Sequence, residues 1–241
     1  MNTKVTSRKP TDRSTTMTGV LRWIVLNIVF LLVLGLSLFL AAGRLDWQLG
    51  WIFLGIVTAG QIATTLMLLA VNPPLLGERA WMKKGSKRWD TVIVGLADAG
   101  WMVTAIVAGL DTRFNWSPRL GVMLTVVGFV LIVLGYLIFL WAMASNRFFS
   151  SFVRIQTDRG HTVETQGPYR FVRHPGYVGA LLTYLASPLA LGSLWTFIPA
   201  TLMLVLFVFR TALEDRTLQH ELEGYVDYAR RVRFRLLPGI W

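Results

Sequence analysis

Leu120–Ala144 reads LGVMLTVVGFVLIVLGYLIFLWAMA, a run without a single Asp, Glu, Lys or Arg. A helix needs about 20 apolar residues to cross a bilayer core, and a soluble helix of this length would keep one polar face. This run has no such face, so it reads as a transmembrane span, long enough to tilt. Working outward, Val20–Ala42, Trp47–Val71 and Thr91–Leu110 repeat the pattern on the N-terminal side. On the C-terminal side, Tyr177–Leu191 and Trp195–Phe209 are shorter. Only Gly192-Ser193-Leu194 separates them, which predicts a tight helical hairpin. The chain is expected to be an all-α integral membrane protein with about six transmembrane helices. Three segments follow: a disordered basic tail over 1–18, spans one to four within 19–145, and a chemically loaded region over 146–241.

The basic residues fix the orientation. Of 24 Lys and Arg, 21 fall on one side of the six-span scheme, in the tail to Arg22, in 72–90, in 146–175 and from Arg210 onward. Only Arg44, Arg113 and Arg119 fall on the other. Basic loops stay in the cytoplasm, so both termini are expected inside. The net charge of +11 then reflects topology and contact with anionic lipids, and nucleic acid is not an expected partner. The first span is too long for a signal-peptide core, which predicts an uncleaved anchor. The chain has no cysteine, which removes disulfides, thiolate metal sites and Cys nucleophiles. His161, His174 and His220 show no ligand spacing, so no metal site is expected. Tryptophans 23, 47, 51, 101, 116, 195 and 241 read as anchors at the membrane interface.

The first four spans carry little chemistry. Asp98 is the only acid inside an early span, and an intramembrane carboxylate is a functional candidate by default. Its small neighbours Gly95, Ala97, Ala99 and Gly100 favour helix packing or a hydrogen bond to an adjacent helix. Gln61 and Asn27 are expected to make interhelical hydrogen bonds.

The second half is different. Asn146–Tyr177 reads NRFFSSFVRIQTDRGHTVETQGPYRFVRHPGY. A connection of this length is usually functional or disordered, and its many aromatic and aliphatic residues argue for packing. Pro175 biases His174 to an extended conformation and suits the first turn of the helix that follows. Free N–H groups at that helix start, with Arg170, Arg173 and His174, would attract a carboxylate or phosphate, or simply lipid headgroups. Downstream, Arg210 and Glu214 lie one turn apart at the mouth of the last span, as a pair at a pocket mouth would. Leu213, Leu218, Leu222 and Tyr225 would give an amphipathic C-terminal helix.

GPYRFVRHPGY, a short apolar hairpin, the acidic pair Glu214-Asp215 and the tyrosines Tyr225 and Tyr228 together resemble the isoprenylcysteine carboxyl methyltransferase family of integral membrane enzymes, related to phospholipid N-methyltransferases. The resemblance covers roughly Asn146 to Pro238, with Asp215 standing where the family carries a second glutamate. It implies S-adenosylmethionine as cofactor, bound without a soluble α/β domain, in a cytoplasmic pocket built from the loop before the fifth helix and the C-terminal helix. Cofactor contacts would fall on Gln156, His161, Thr162, Val163, Glu164, Tyr169, His174, Pro175, Gly176, Tyr177 and Glu214. Arg210 would contact substrate, and Arg210, Glu214 and Arg173 would serve catalysis. The implied acceptor is a lipophilic small molecule or prenylated substrate drawn from among membrane lipids, most directly its carboxylate. Methylation of a phospholipid amine or a thiol stays open, as does an NADPH-dependent reductase of the membrane sterol type, which shares a similar C-terminal region.

Overall fold

The computed structural model describes residues 13–71 and 85–241, with side chains over 17–70 and 85–241. Its helices are α1 (Arg13–Ala42), α2 (Gln48–Val71), α3 (Arg88–Phe114), α4 (Val122–Ser145), α5 (Pro175–Leu191), α6 (Phe197–Glu221) and α7 (Tyr225–Arg231). Short 3-10 turns at Thr157–Arg159 and Gly167–Arg170 interrupt the long connection between α4 and α5. All of α1 to α4, and α6, are long and apolar enough to cross a membrane; α5, with 17 residues, is shorter. Leu21, Leu40, Met123 and Leu202 are at least 60% exposed on these helices, an outer surface suited to lipid and not to water.

Most of the expected tail, 1–12, and most of the expected basic segment 72–90 lie outside the described residues. Within the tail, 13–18 are already helical. The C-terminal end departs further from expectation. α6 runs unbroken from Phe197 to Glu221, so the last span and most of the expected amphipathic helix are one rod. Its one proline, Pro199, lies in the first turn, where a helix tolerates it; the break comes at Gly224, whose positive φ of 80° starts the short α7.

Small residues set the closest helix approach. A Cβ at Gly135 would stand 2.7 Å from the Gly179 carbonyl, and one at Gly128 would stand 2.4 Å from the Ala190 amide. α4 and α5 therefore meet backbone to backbone, the packing mode available where lipid gives no hydrophobic drive. This holds α5 inside the bundle, with Leu181, Tyr184, Ala186 and Leu191 all buried.

The single-residue expectations fared unevenly. Asn27 donates within its own helix to the Trp23 carbonyl (2.8 Å), and the bond between α1 and α2 is made by Trp23 Nε1 to Thr65 Oγ1 (3.1 Å). Trp101 is no interface anchor: it sits mid-helix, its ring 4.4 Å from that of Tyr184. Asp98 has no hydrogen bond or ion pair among the described residues; it faces a cavity among the helices.

Candidate active site

One end of the bundle is organised around Asp90, fully buried in the first turn of α3. Arg210 of α6 donates to it from Nε (2.8 Å) and Nη2 (3.3 Å), and the Val153 amide donates at 2.7 Å. Arg210 Nη2 also reaches the Ser151 carbonyl at 2.7 Å. Two helices and the loop after α4 are thereby tied at one level. The sequence paired Arg210 with Glu214, since residues four apart share a helix face. The structure corrects this: Asp90 takes the guanidinium, and Glu214 accepts a short hydrogen bond from the Tyr177 hydroxyl.

A second hub forms at Asp215, also fully buried. It accepts from Arg173 Nε (2.7 Å) and Nη2 (2.9 Å), Arg235 Nε (2.9 Å), Gln219 (2.7 Å) and the Tyr225 hydroxyl (2.9 Å). Arg173 Nη1 donates to the carbonyls of Val232 and Arg233, each at 2.9 Å. Backbone bonds from Arg173 to Phe234 (2.9 Å) and from His174 to Arg235 (3.0 Å) lay the C-terminal residues along the start of α5. The fork of Arg173 is spent on the protein itself. Its geometry is that of a girder, although the side chain also borders a cleft. The expected anion site at the helix start also shrinks, because the Tyr177 and Val178 amides both donate to the His174 carbonyl.

Between the hubs the loop after α4 folds into a cleft. Asn146 starts the fold, accepting from the Phe148 amide (2.8 Å) and donating to the Tyr169 hydroxyl (3.2 Å). Gly167 has φ 56°, and a Cβ there would stand 2.2 Å from Ser145 Oγ, so only glycine lets the turn reach α4. Of the residues expected to touch cofactor, Gln156, His161, Thr162, Val163, Glu164, Tyr169, His174, Gly176, Tyr177 and Glu214 line this cleft, and Pro175 does not. Asn146, Phe148, Leu218, Leu222, Tyr225 and Tyr228 also line it, although the sequence reading did not assign them to the site. The two tyrosines were visible in the motif; Phe148 and Asn146 carried no signal beyond their place in the loop.

Several of these groups shape the cleft more than they reach into it. The Gln156 amide donates to the Phe148 carbonyl (2.6 Å) and accepts from Arg159 (3.0 Å). His161 Nδ1 accepts from the Gln156 amide N–H at 3.2 Å. Burial, with Arg154 and Arg159 nearby, pushes the His161 imidazole down to about 4, so it is a neutral acceptor at pH 7. Glu164 accepts from the amides of Thr165 and Gln166 (2.9 and 2.8 Å). Burial raises the Tyr169, Tyr225 and Tyr228 phenols above their usual range, which keeps all three protonated; Tyr228 donates to the Tyr169 carbonyl at 2.7 Å.

The cleft shares Phe149, Ser150 and Tyr177 with a second cavity, which extends among α2 to α6. Arg210, Asp98, Trp101, Tyr136, Tyr184 and Phe207 line that second cavity. Tyr177 stands between the two. Its ring lies parallel to His174 at 5.7 Å, and the Arg210 guanidinium sits 5.0 Å from its centroid. Arg210, expected as a substrate contact, lines the second cavity and not the cleft.

Residues 123–223 match the family model described as phospholipid methyltransferase. A probable protein-S-isoprenylcysteine O-methyltransferase of Oryza sativa subsp. indica, and its counterpart in subsp. japonica, are each 29% identical over 109 residues. Those matches cover 44% of this chain and 57% of each relative, so the chain spans little more than half the length of the curated relatives it matches. A solved structure of the eukaryotic intramembrane Ras methyltransferase, isoprenylcysteine carboxyl methyltransferase, aligns over 94% of this chain and 93% of its own, with a TM-score of 0.48 and 16% identity. The family-model match takes in the loop after α4, Arg210 and Asp215.

Proposed function

We propose that this protein is an S-adenosylmethionine-dependent membrane methyltransferase that methylates the carboxylate of a lipophilic acceptor at the cytoplasmic face. The observation that carries this reading is the pair of cavities meeting at Tyr177, one polar and built from the loop, the other reaching among the spans. A water-soluble donor and a lipid-soluble acceptor need such a junction. The distribution of basic residues supports the cytoplasmic side.

The lining of the cleft fits the cofactor. Tyr169, Tyr177 and Phe148 offer aromatic faces to an adenine or a cation, and Glu214 and Glu164 offer negative charge to a sulfonium and an ammonium. Those groups, with His161, Thr162, Val163 and His174, would hold it, while Gln156, Pro175 and Gly176 set the backbone around it. When bound, the cofactor supplies a methyl group already activated on sulfur. NADPH suits the cleft less well. Its phosphates need free cations, and Arg154 and Arg173 are committed to Asp158 (2.9 Å) and Asp215.

The work left to the protein is positioning and electrostatics. Arg210 spends Nε and Nη2 on Asp90 and Ser151, which leaves Nη1 for the acceptor. One arm would hold the carboxylate, in place of the bidentate clamp read from the sequence. Asp90 fixes the guanidinium in that pose. Tyr177, held by Glu214, His174 and Arg210, stands between the two sites. The match to a phospholipid methyltransferase family model, together with the neutralisation of Arg210 by Asp90, favours a lipid amine as the second reading; there Glu214 would take up the proton.

Calorimetric titration of the purified protein tests the cofactor, with adenosylmethionine expected to bind and NADPH to give no heat. For the acceptor, Arg210→Ala is expected to lower methyl-ester formation from a prenylated cysteine at least 100-fold while adenosylmethionine binding persists. Undiminished ester formation in that variant, or binding of NADPH alone, defeats the reading.

A further inference from the structure

The second cavity holds more polar groups than a hydrocarbon tail requires. Several of them are occupied within the protein. Tyr184 donates to the Ala97 carbonyl (2.8 Å), Thr183 to the Gly179 carbonyl (3.0 Å), Tyr177 to Glu214, and Arg210 to Asp90 and Ser151. Six are not, among the described residues: Asp98, Tyr136, Gln61, Thr64, Trp101 and Ser151. Asp98 of α3, Tyr136 of α4 and Gln61 of α2 line the cavity, and none of the three makes a side-chain hydrogen bond or ion pair among the described residues. An ionisable residue at membrane depth is costly, and it normally faces a partner, a cavity or a path. Asp98 lies two helical turns past Asp90, about 12 Å deeper along α3 than the level of the Arg210 pair. Gln61 also lines an apolar groove between α1 and α2, with Ile24, Leu31 and Leu66, that joins this wall to the lipid-facing surface.

Resting on the acceptor reading above, we propose that Asp98, flanked by Tyr136 and Gln61, recognises a hydrogen-bond donor carried within the acceptor's lipid tail, a hydroxyl about 12 Å from the methylated end. A carboxylate accepts and does not donate, which selects a donor on the ligand. The tail this cavity fits is therefore interrupted by a polar group, unlike an unbroken hydrocarbon. Asp98 acts here as a specificity residue at the far end of the cavity, away from the reacting atoms.

The test uses the full chain in lipid nanodiscs and two C18 carboxylic acids, one plain and one hydroxylated about 12 Å from its carboxyl carbon. Binding is read by displacement of a fluorescent fatty acid, and methylation is read separately from a labelled methyl donor. The native protein is expected to bind the hydroxylated acid about 10- to 100-fold more tightly, the range for a hydrogen bond to a charged group. Asp98→Ala removes the preference, and Asp98→Asn, which keeps a carbonyl oxygen, retains part of it. Since Asp98 holds nothing in the fold together, both variants should keep their thermal stability. Equal binding of the two acids by the native protein, or an undiminished preference in Asp98→Ala, overturns the proposal. The two readings separate cleanly. An Asp98-dependent preference without methylation sinks the acceptor reading and keeps the site, whereas methylation without preference does the reverse.

Discussion

α3 carries a buried aspartate at each end, Asp90 and Asp111, about 30 Å apart along the helix axis, the thickness of a bilayer core. Each accepts three hydrogen bonds. Asp111 receives the Ser117 amide (2.7 Å), the Ser117 hydroxyl (2.6 Å) and the Ser193 hydroxyl (2.5 Å). Leu194 and Thr196 then donate to those hydroxyls, at 2.9 and 2.7 Å, and the network closes on itself. It pins the turn after α3 to the turn between α5 and α6, and its residues line neither the cleft nor the cavity beside it. Asp90 takes two of its three bonds from a guanidinium that lines a cavity and keeps one arm uncommitted. The number of bonds is the same; the difference is what the partners have left over. Saturated hydroxyls make a joint, while a partly engaged arginine held by a buried carboxylate makes a joint and a site.

The sharpest way to break this contrast is Asp90→Ala. It strands Arg210 without its counter-charge and should cost about 3–5 kcal/mol, with turnover lost as well. Thermal unfolding in nanodiscs reads the first effect. Replacing both partners by apolar residues of similar volume should recover stability without activity, and recovery of activity would show that Arg210 is only structural. Asp111→Ala is expected to cost less, about 1–3 kcal/mol, because it leaves neutral hydroxyls unpaired. Turnover per folded molecule should be unchanged; a fall in activity would mean that the far joint also shapes the site.

The smallest effect belongs to His161, which shapes the cleft without touching either aspartate. Its imidazole is lowered in the folded state to about 4, from an ordinary 6.5. The unfolded chain takes up the proton first, so the contribution is complete above pH 6.5 and is lost as the pH falls toward 4. Folding stability should fall over that window, and His161→Asn should flatten the dependence. A native profile as flat as the variant's would remove His161 from the design of the cleft.

Much of the site was legible in advance, residue by residue, and much of its wiring was not. GPYRFVRHPGY and Glu214 pointed to a cleft that the folded loop does form, and Gly167 and Pro175 declared its turns through their backbone limits. The pairing of Arg210 with Glu214 was wrong because helical spacing is local information, whereas Asp90 is 120 positions away. Arg173 looked available because nothing in the motif reveals that the chain returns at residues 232–235 to consume its fork. Asp98 was read as helix glue because its neighbours are small, yet among the described residues no side chain hydrogen-bonds to it.

By itself the sequence determined the long apolar helices, the short turn between α5 and α6 and the bias of basic charge, because hydropathy and backbone stereochemistry act over stretches shorter than one helix. Only the tertiary structure decided which carboxylate neutralises which guanidinium and which acid is left facing a cavity. Those choices depend on distances between helices, and packing at Gly128, Gly135 and Gly179 sets them only once the whole bundle has closed.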